Sequence, residues 1–343
     1  MKNIAVIIET DVSKSGREEV KEICFGMITI AREKNCELFA FVINADIQAL
    51  KPDLKSFGIA NILDIVLESD LQYNPVVRAK AMVKAVEKFH IDAVFGLCTP
   101  MGKDLLPRMA AQLDAPLVMG CIDVDLQPDS HTKNCLAKTL QYSGKAIATI
   151  KTRGNIPIFG VKPNAVKPVK AQTDTRILRF DGIDLDATKL KLIQTGRNDK
   201  SADINLSEAD IIIAGGRGMK NPENFTTLFK CAKILNASVG ASRVAVDEGW
   251  VPYSMQVGQT GEKVNPKVYI ACGISGSIQH FAGMKTSQMV IAINSDKDAP
   301  IMSNSDYYVV ADALEVIPEL TKLLSSTQPK AANLPNYGVG NKF

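Results

Sequence analysis

Three glycine-rich turns in the second half of the chain are the first places where chemistry could be done. They are Gly215-Gly216-Arg217-Gly218, Gly258-Gln259-Thr260-Gly261 and Gly273-Ile274-Ser275-Gly276-Ser277, each reading as the end of an apolar run. Glycine after a parallel strand lets backbone N–H groups come close to an anion, and a helix start behind it favours negative charge. A single such turn reads more readily as plain chain reversal than as a phosphate cradle; three in one half shift the balance toward a dinucleotide. None is a Walker A loop or a G-x-G-x-x-G fingerprint, so a standard ATP or NAD site is not indicated. His280 and Arg243 are the two chargeable groups in these otherwise neutral stretches. For His280 a satisfied core histidine competes with a ligand contact, and for Arg243 a surface ion pair with Asp247 or Glu248 does. Ser242 or Ser275 with His280 could suggest a hydrolase, but no G-x-S-x-G elbow accompanies them. The three histidines lack carboxylate or cysteine companions at ligand spacing, so metal chemistry finds no support.

The elements that must hold these residues follow from periodicity. Ile4–Ile8, Leu38–Ile43, Ile62–Leu67, Asp92–Cys98 and Leu117–Ile122 are short apolar runs, and amphipathic stretches near 17–34, at Pro75–Phe89 and at Lys103–Leu113 lie between them. Strand and helix alternating in this way predict an α/β fold, a Rossmann-like, mostly parallel sheet covered on both faces. Leu136–Gln141, Ala146–Lys151 and Ile158–Val161, separated by turn residues, predict an antiparallel extension of that sheet. Residues 162–205 carry prolines and lysines with few apolar runs and read as a domain boundary. The rhythm resumes with Ala209–Ala214, a helix over Asn221–Leu235 capped by Asn221, buried strands at Lys267–Cys272, Met289–Asn294 and Tyr307–Asp312, and a closing helix at Glu315–Leu324. The expected organisation is an N-terminal domain over 1–200, a doubly wound domain over 205–325, and an extended tail over 326–343.

Composition narrows the class. Hydrophobic residues make up 46% and charged residues 22%, an ordinary globular mix that excludes disorder. A net charge of +3, dispersed along the chain, does not support nucleic acid as a partner. The longest uncharged stretch, Val268–Met284, contains three glycines, a glutamine and a histidine, so no transmembrane segment is expected. Seven cysteines, no two within four residues of each other, and a start that runs straight into a strand, predict reduced thiols in the cytoplasm.

Gly240–Trp250, Gln256–Gly261, Gly273–Met284, Ala292–Asp296 and Ala299–Ile301 together resemble the alpha subunit of electron-transfer flavoprotein, and the likeness runs from Ala214 to roughly Leu320. The resemblance implies FAD as cofactor, a C-terminal FAD-binding domain, and a heterodimer with a beta subunit. The implied role is that of an electron carrier between donor and acceptor dehydrogenases, not a stand-alone enzyme. An electron-bifurcating variant that uses NADH and a structural nucleotide-binding subunit are the alternatives. Carried over by motif, Arg217 and its turn meet the AMP half of FAD. Ser242 and Arg243 lie against the flavin, and Gln256, Val257, Gly258, Gln259 and Thr260 line its ring. Ser275, Gly276, Ser277, Ile278, Gln279 and His280 wrap the pyrophosphate and ring edge. Asn294, with Asp312 and Ala313, belongs to the ribose or adenine end. In these roles Thr260 could exchange a hydrogen bond with flavin N5, while His280 and Arg243 favour negative charge on a reduced ring. The redox chemistry itself would be the cofactor's.

Overall fold

A computed structural model describes residues 2–13, 16–32, 36–68, 71–126, 135–142, 146–181 and 205–327. The expected tail over 326–343 lies outside them from residue 328 onward.

The first part runs β1 (Asn3–Ile7), β2 (Thr10–Val12), β3 (Glu18–Val20), α1 (Ile23–Ala31), β4 (Glu37–Ile43), α2 (Ile47–Ser56), β5 (Asn61–Ile65), α3 (Pro75–Lys88), β6 (Ala93–Leu97), α4 (Pro100–Leu113), β7 (Leu117–Asp125), β8 (Leu136–Gln141), β9 (Ala146–Lys151), β10 (Ile158–Val161) and β11 (Arg176–Phe180). Its main sheet has the order β11-β5-β4-β1-β6-β10-β7-β8-β9. The helices cover both faces because successive strand residues point to opposite sides. Ile4 and Val6 of β1 pack with α1 and α2, whereas Ala5 and Ile7 pack with α3 and α4.

Several expectations change here. The stretch near 17–34 is a helix only from Ile23, since Glu18–Val20 pairs antiparallel with β2. Helix α2 had no clear apolar stripe to announce it; Asp46 caps it by accepting from the Gln48 and Ala49 amides, and Pro52 sits inside it. Ile158–Val161 is no antiparallel appendage. Fully buried and parallel to both neighbours, β10 inserts between β6 and β7, while the antiparallel extension is β8 and β9. The stretch expected to be a boundary also supplies β11, a parallel edge strand beside β5.

The second part runs β12 (Ile211–Gly215), α5 (Phe225–Leu235), β13 (Ser238–Ala241), α6 (Arg243–Asp247), β14 (Val268–Cys272), α7 (Ile278–Met284), β15 (Val290–Asn294), α8 (Pro300–Ser303), β16 (Tyr307–Val310) and α9 (Ala313–Thr327). Five parallel strands form a separate sheet in the order β13-β12-β14-β15-β16. Helices α5 and α9 cover one face and α7 and α8 the other, which gives a doubly wound sheet. Helix α5 begins at Phe225, not Asn221, because residues 217–219 form a short helical turn and Asn221 Oδ1 accepts from the Asn224 amide ahead of it. Strand β16 is an exposed edge, not a buried strand: Tyr307, Tyr308, Val309 and Val310 are all exposed. The closing helix extends to Thr327, past the expected start of the tail.

Candidate functional site

Strand order decides where a ligand can enter. The chain leaves β12 for β13 on one side and returns to place β14 on the other, so the connections after β12 and β14 diverge and open a crevice at their carboxyl ends. A cleft of about 500 Å³ lies there, within the usual size for a small-molecule site. It collects the ends of four strands: Arg217 and Gly218 after β12, Ser242 and Arg243 after β13, Gly273 to Ser277 after β14, and Asn294 and Asp296 after β15.

Glycine makes the floor possible. A Cβ on Gly216 would stand 2.4 Å from the Gly273 carbonyl oxygen, and one on Gly218 would stand 2.7 Å from the Gly273 Cα. The two turns therefore touch backbone to backbone, laced by the Gly218 amide donating to the Gly273 carbonyl at 2.9 Å. Gly276, at φ +83°, has its missing Cβ only 2.6 Å from the Ile301 nitrogen. The third glycine turn differs from its expectation. Residues 258–261 do not follow a strand; they cross over the cleft after a short helical turn at Tyr253–Met255. Bridges from Ala241 to Gln256 and from Val257 to Glu262 hold that segment. Its threonine is prepositioned: Gln256, buried, donates Nε2 to Thr260 Oγ1 at 3.1 Å.

His280 sits in the first turn of α7, where Ser277 Oγ accepts from its amide at 3.3 Å. The imidazole is 5% exposed and its Nε2 meets the Tyr269 hydroxyl at 3.0 Å. Burial lowers its pKa to about 4, against a weak opposing influence of the Val257 carbonyl, so the ring is neutral near pH 7. It is a buried histidine that also lines the cleft. Arg243 lies at the mouth, exposed, with Nε donating to Asp247 at 3.2 Å, the surface pair that sequence had offered as its alternative. Asn294 closes the far side by donating to the Ile274 carbonyl at 2.9 Å.

Fourteen of the expected residues line this one cleft: Arg217, Ser242, Arg243, Gln256, Val257, Gly258, Gln259, Thr260, Ser275, Gly276, Ser277, Gln279, His280 and Asn294. Three do not. Ile278 points outward and is exposed. Asp312 accepts from Lys220 Nζ at 2.7 Å and from the Leu314 amide at 2.9 Å, and the adjoining Ala313 is buried at the start of α9. Gly218, Val244, Gly273, Ile274, Asp296 and Ala299 also line the cleft. All six lie inside the motifs already noted, although none was assigned a contact of its own.

Two polar atoms in this wall are buried without a hydrogen-bond partner, Ser242 Oγ and His280 Nδ1. Unsatisfied groups of this kind are costly in an ordinary core and call for an explanation where they belong to residues of a cavity wall. Residues 205–285, which contain both, match the electron transfer flavoprotein FAD-binding domain, and residues 10–184 match the electron transfer flavoprotein domain. The chain belongs to the electron transfer flavoprotein alpha-subunit family. It is 36% identical to the alpha subunit of Bacillus subtilis, over 89% of this chain and 93% of that protein. It is 37% identical to the alpha subunit of Thermoanaerobacterium thermosaccharolyticum, over 85% and 88% respectively. Protein FixB of Clostridium saccharobutylicum is 36% identical over 85% of this chain and 87% of its own length. The FAD-binding domain of this family and the cleft thus occupy the same part of the chain.

The residues present fit an anionic dinucleotide. Two cations, Arg217 and Arg243, stand against the single carboxylate of Asp296 in the lining, alongside hydroxyls and glycine-exposed backbone. Among the described residues no helix is long and apolar enough to cross a membrane, and no cluster of three His, Cys, Asp or Glu could hold a metal ion.

Proposed function

We propose that this chain is the FAD-carrying subunit of a heterodimeric electron carrier, paired with a beta subunit, that takes electrons from a dehydrogenase and delivers them to a second redox partner. The observation that carries the reading is the pair of orphaned buried atoms, Ser242 Oγ and His280 Nδ1, in a cleft within the matched FAD-binding segment. FAD, when bound, supplies the one- and two-electron redox chemistry.

The chain's own groups bind, orient and tune. Arg217 and the Gly216–Gly218 turn face the AMP half. The Gly276 turn, from Ser275 to Ser277, offers close backbone approach to the pyrophosphate. Val257, Gly258, Gln259 and Thr260 bound the ring, with Gln256 fixing the direction of the Thr260 hydroxyl, whose proton is then free to point at the ring. Ser242 Oγ gains its missing partner on the flavin side. Arg243, released from Asp247, brings a permanent positive charge to the ring, and neutral His280 contributes a hydrogen bond, not a charge. Asn294 borders the ribose. Residues 1–200 act as the N-terminal half and 205–325 as the FAD half. Seven cysteines spread singly along the chain suit a reducing compartment, and we assign the chain to the cytoplasm.

Co-purification with a beta subunit tests this. The expected product is yellow, carries one FAD per alpha chain, and is reduced by a dehydrogenase and substrate. A colourless complex, or a yellow one that no dehydrogenase can reduce, would contradict it.

A further inference from the structure

Among the described residues, no buried apolar cluster draws members from both halves of the chain; two pack on the first sheet and two on the second. Hydrogen bonds and ion pairs cross between the halves instead, and they share one place in the fold. Glu9 and residues 162–164 follow the carboxyl ends of β1 and β10, whereas Glu208, Asp210, Asn265, Lys267, Thr286 and Gln288 precede β12, β14 and β15. The carboxyl edge of the first sheet thus meets the amino edge of the second. The glycine-floored cleft lies at that second sheet's opposite edge.

Two lysines in this seam are used in mirrored fashion. Lys21, in the first half, has its amide bonded to the Glu9 carbonyl at 3.0 Å; its Nζ reaches Glu9 at 3.1 Å and crosses to Glu208 at 2.6 Å. Lys267, in the second half, precedes Val268, whose amide bonds to the Asp210 carbonyl at 3.1 Å. Its Nζ reaches Asp210 at 2.8 Å and crosses to Glu22 at 2.7 Å. Backbone pairing therefore sets each lysine beside a carboxylate of its own half, and each donates one more hydrogen bond to the other half. Burial works against both charges, but the carboxylates outweigh it and hold each lysine above its ordinary pKa. Three further crossing contacts involve no carboxylate. Buried Asn265 donates to the Pro163 carbonyl at 2.8 Å, Gln288 to the Asn164 carbonyl at 3.2 Å, and Lys162 to the Thr286 hydroxyl at 2.6 Å.

Exposure separates the two triads. The side chains of Glu9, Lys21 and Glu208 are 4%, 23% and 16% exposed, against 64%, 37% and 30% for Glu22, Lys267 and Asp210. Salt screens exposed charges far more than buried ones. We propose that the two reciprocal triads form an ionic latch seating the second half on the first, the Lys21 triad its salt-resistant anchor and the Lys267 triad its salt-sensitive catch. The latch touches no residue of the cleft, and it holds whatever the cleft binds.

Hydrogen exchange read by mass spectrometry on the complex with a beta subunit tests this, through peptides covering 18–24, 205–212 and 264–270. Raising salt from about 0.1 M to about 1 M should speed exchange in the last two about threefold. Lys267→Met should give the faster exchange already at low salt and abolish the response to salt. Lys267→Glu should loosen the seam further, and adding Glu22→Lys should bring it back toward wild type, because the crossing pair re-forms with its signs exchanged. Lys21→Met, which strands buried Glu9, should speed exchange about a hundredfold at either salt. Flavin content should stay at the wild-type level throughout. Wild-type exchange in Lys267→Met, or a charge exchange without rescue, overturns the proposal. So does loosening that spreads evenly through β4 and β5, which would mark a weakened fold and not a latch. If Lys21→Met fails to fold, the Lys267 variants still decide. A colourless complex counts against the FAD reading alone.

Discussion

Both sheets of this chain end in a cavity at their switch point, yet the two cavities differ in how their polar groups are used. In the first sheet, the ends of β1, β4 and β6 surround a space of about 470 Å³. Its charges have been spent on one another. Buried Glu9 accepts from the Thr99 hydroxyl at 2.5 Å and from Lys21 at 3.1 Å, and Lys21 also reaches Glu208 at 2.6 Å. Among the described residues, Arg78 Nε is buried there without a partner. In the second sheet the floor is backbone, opened by glycine, and the side chains lining it are mostly neutral hydroxyls and amides, with Arg217, Arg243 and Asp296 the charged members. The same parallel topology thus makes a structural joint in one place and a ligand site in the other, and the fold alone would not have told them apart.

Glycine substitution breaks the comparison hardest. Gly273 has φ +60° and its missing Cβ lies 2.7 Å from the Gly218 Cα, so Gly273→Ala pushes two backbones apart and should cost about 4 kcal/mol. Gly16 in the first part also has positive φ, at +79°, but with nothing within 4 Å, and Gly16→Ala should cost only about 1 kcal/mol. Urea denaturation of the two variants measures the gap; equal losses would mean that the β12 and β14 turns are not interlocked.

Acid acts next. His280 has a folded pKa of about 4, below its unfolded value near 6.5, so between those values the unfolded state binds the extra proton. Stability is therefore complete above pH 6.5 and lost as pH falls toward 4, by up to about 3 kcal/mol. His280→Asn should flatten this acid limb, which denaturation at pH 7 and pH 4.5 would reveal. An unchanged limb would place the sensitivity elsewhere.

The two hydroxyls give a crossed pair. Thr99 is satisfied twice, by Glu9 and by capping α4 through the Gly102 amide, so Thr99→Ala should cost about 1–2 kcal/mol of stability and leave FAD affinity alone. Ser242 Oγ has no partner among the described residues, so Ser242→Ala should leave stability intact and weaken FAD binding about tenfold. Calorimetry of both variants with and without FAD tests the crossing, and it fails if both lose the same quantity.

What the sequence disclosed, and what it hid, follow the same physics. The second half was legible because glycine-punctuated apolar strands marked its turns, and the resemblance of those motifs to the electron-transfer flavoprotein alpha subunit supplied the fourteen residues that line the cleft. The switch-point joint of the first half was not legible. Glu9, Lys21, Arg78 and Thr99 are scattered singly along the chain, and only the sheet order brings them together. Strand β10 deceived because a four-residue apolar run carries no mark of parallel or antiparallel pairing, and it reaches the centre of the sheet out of sequence order. Asp312 and Ala313 were named by resemblance, and local hydrogen bonding holds Asp312 to Lys220 and to the start of α9 instead.

Arg243 provides the smallest effect on stability and the sharpest on electronics. Its pair with Asp247 is exposed at both ends, and Arg243→Ala should change stability by less than about 0.5 kcal/mol. The same variant should make the first flavin reduction potential more negative while FAD stays bound, because a fixed positive charge near the ring is lost. A wild-type potential in stepwise reductive titration would reduce Arg243 to a surface ion pair.

The central claim is that the crevice between β12 and β14 holds FAD, and Gly276 examines it most directly. A Cβ at this positive-φ position would meet the Ile301 backbone at 2.6 Å and close the turn on the cleft. Gly120, at φ +78° in the first sheet with nothing within 4 Å, is the matched control. FAD content and affinity should be measured for wild type, Gly276→Ala and Gly120→Ala, each purified with the partner subunit. The account predicts stoichiometric FAD in wild type and Gly120→Ala and loss of FAD from Gly276→Ala; wild-type affinity in Gly276→Ala, or loss from Gly120→Ala, would contradict it.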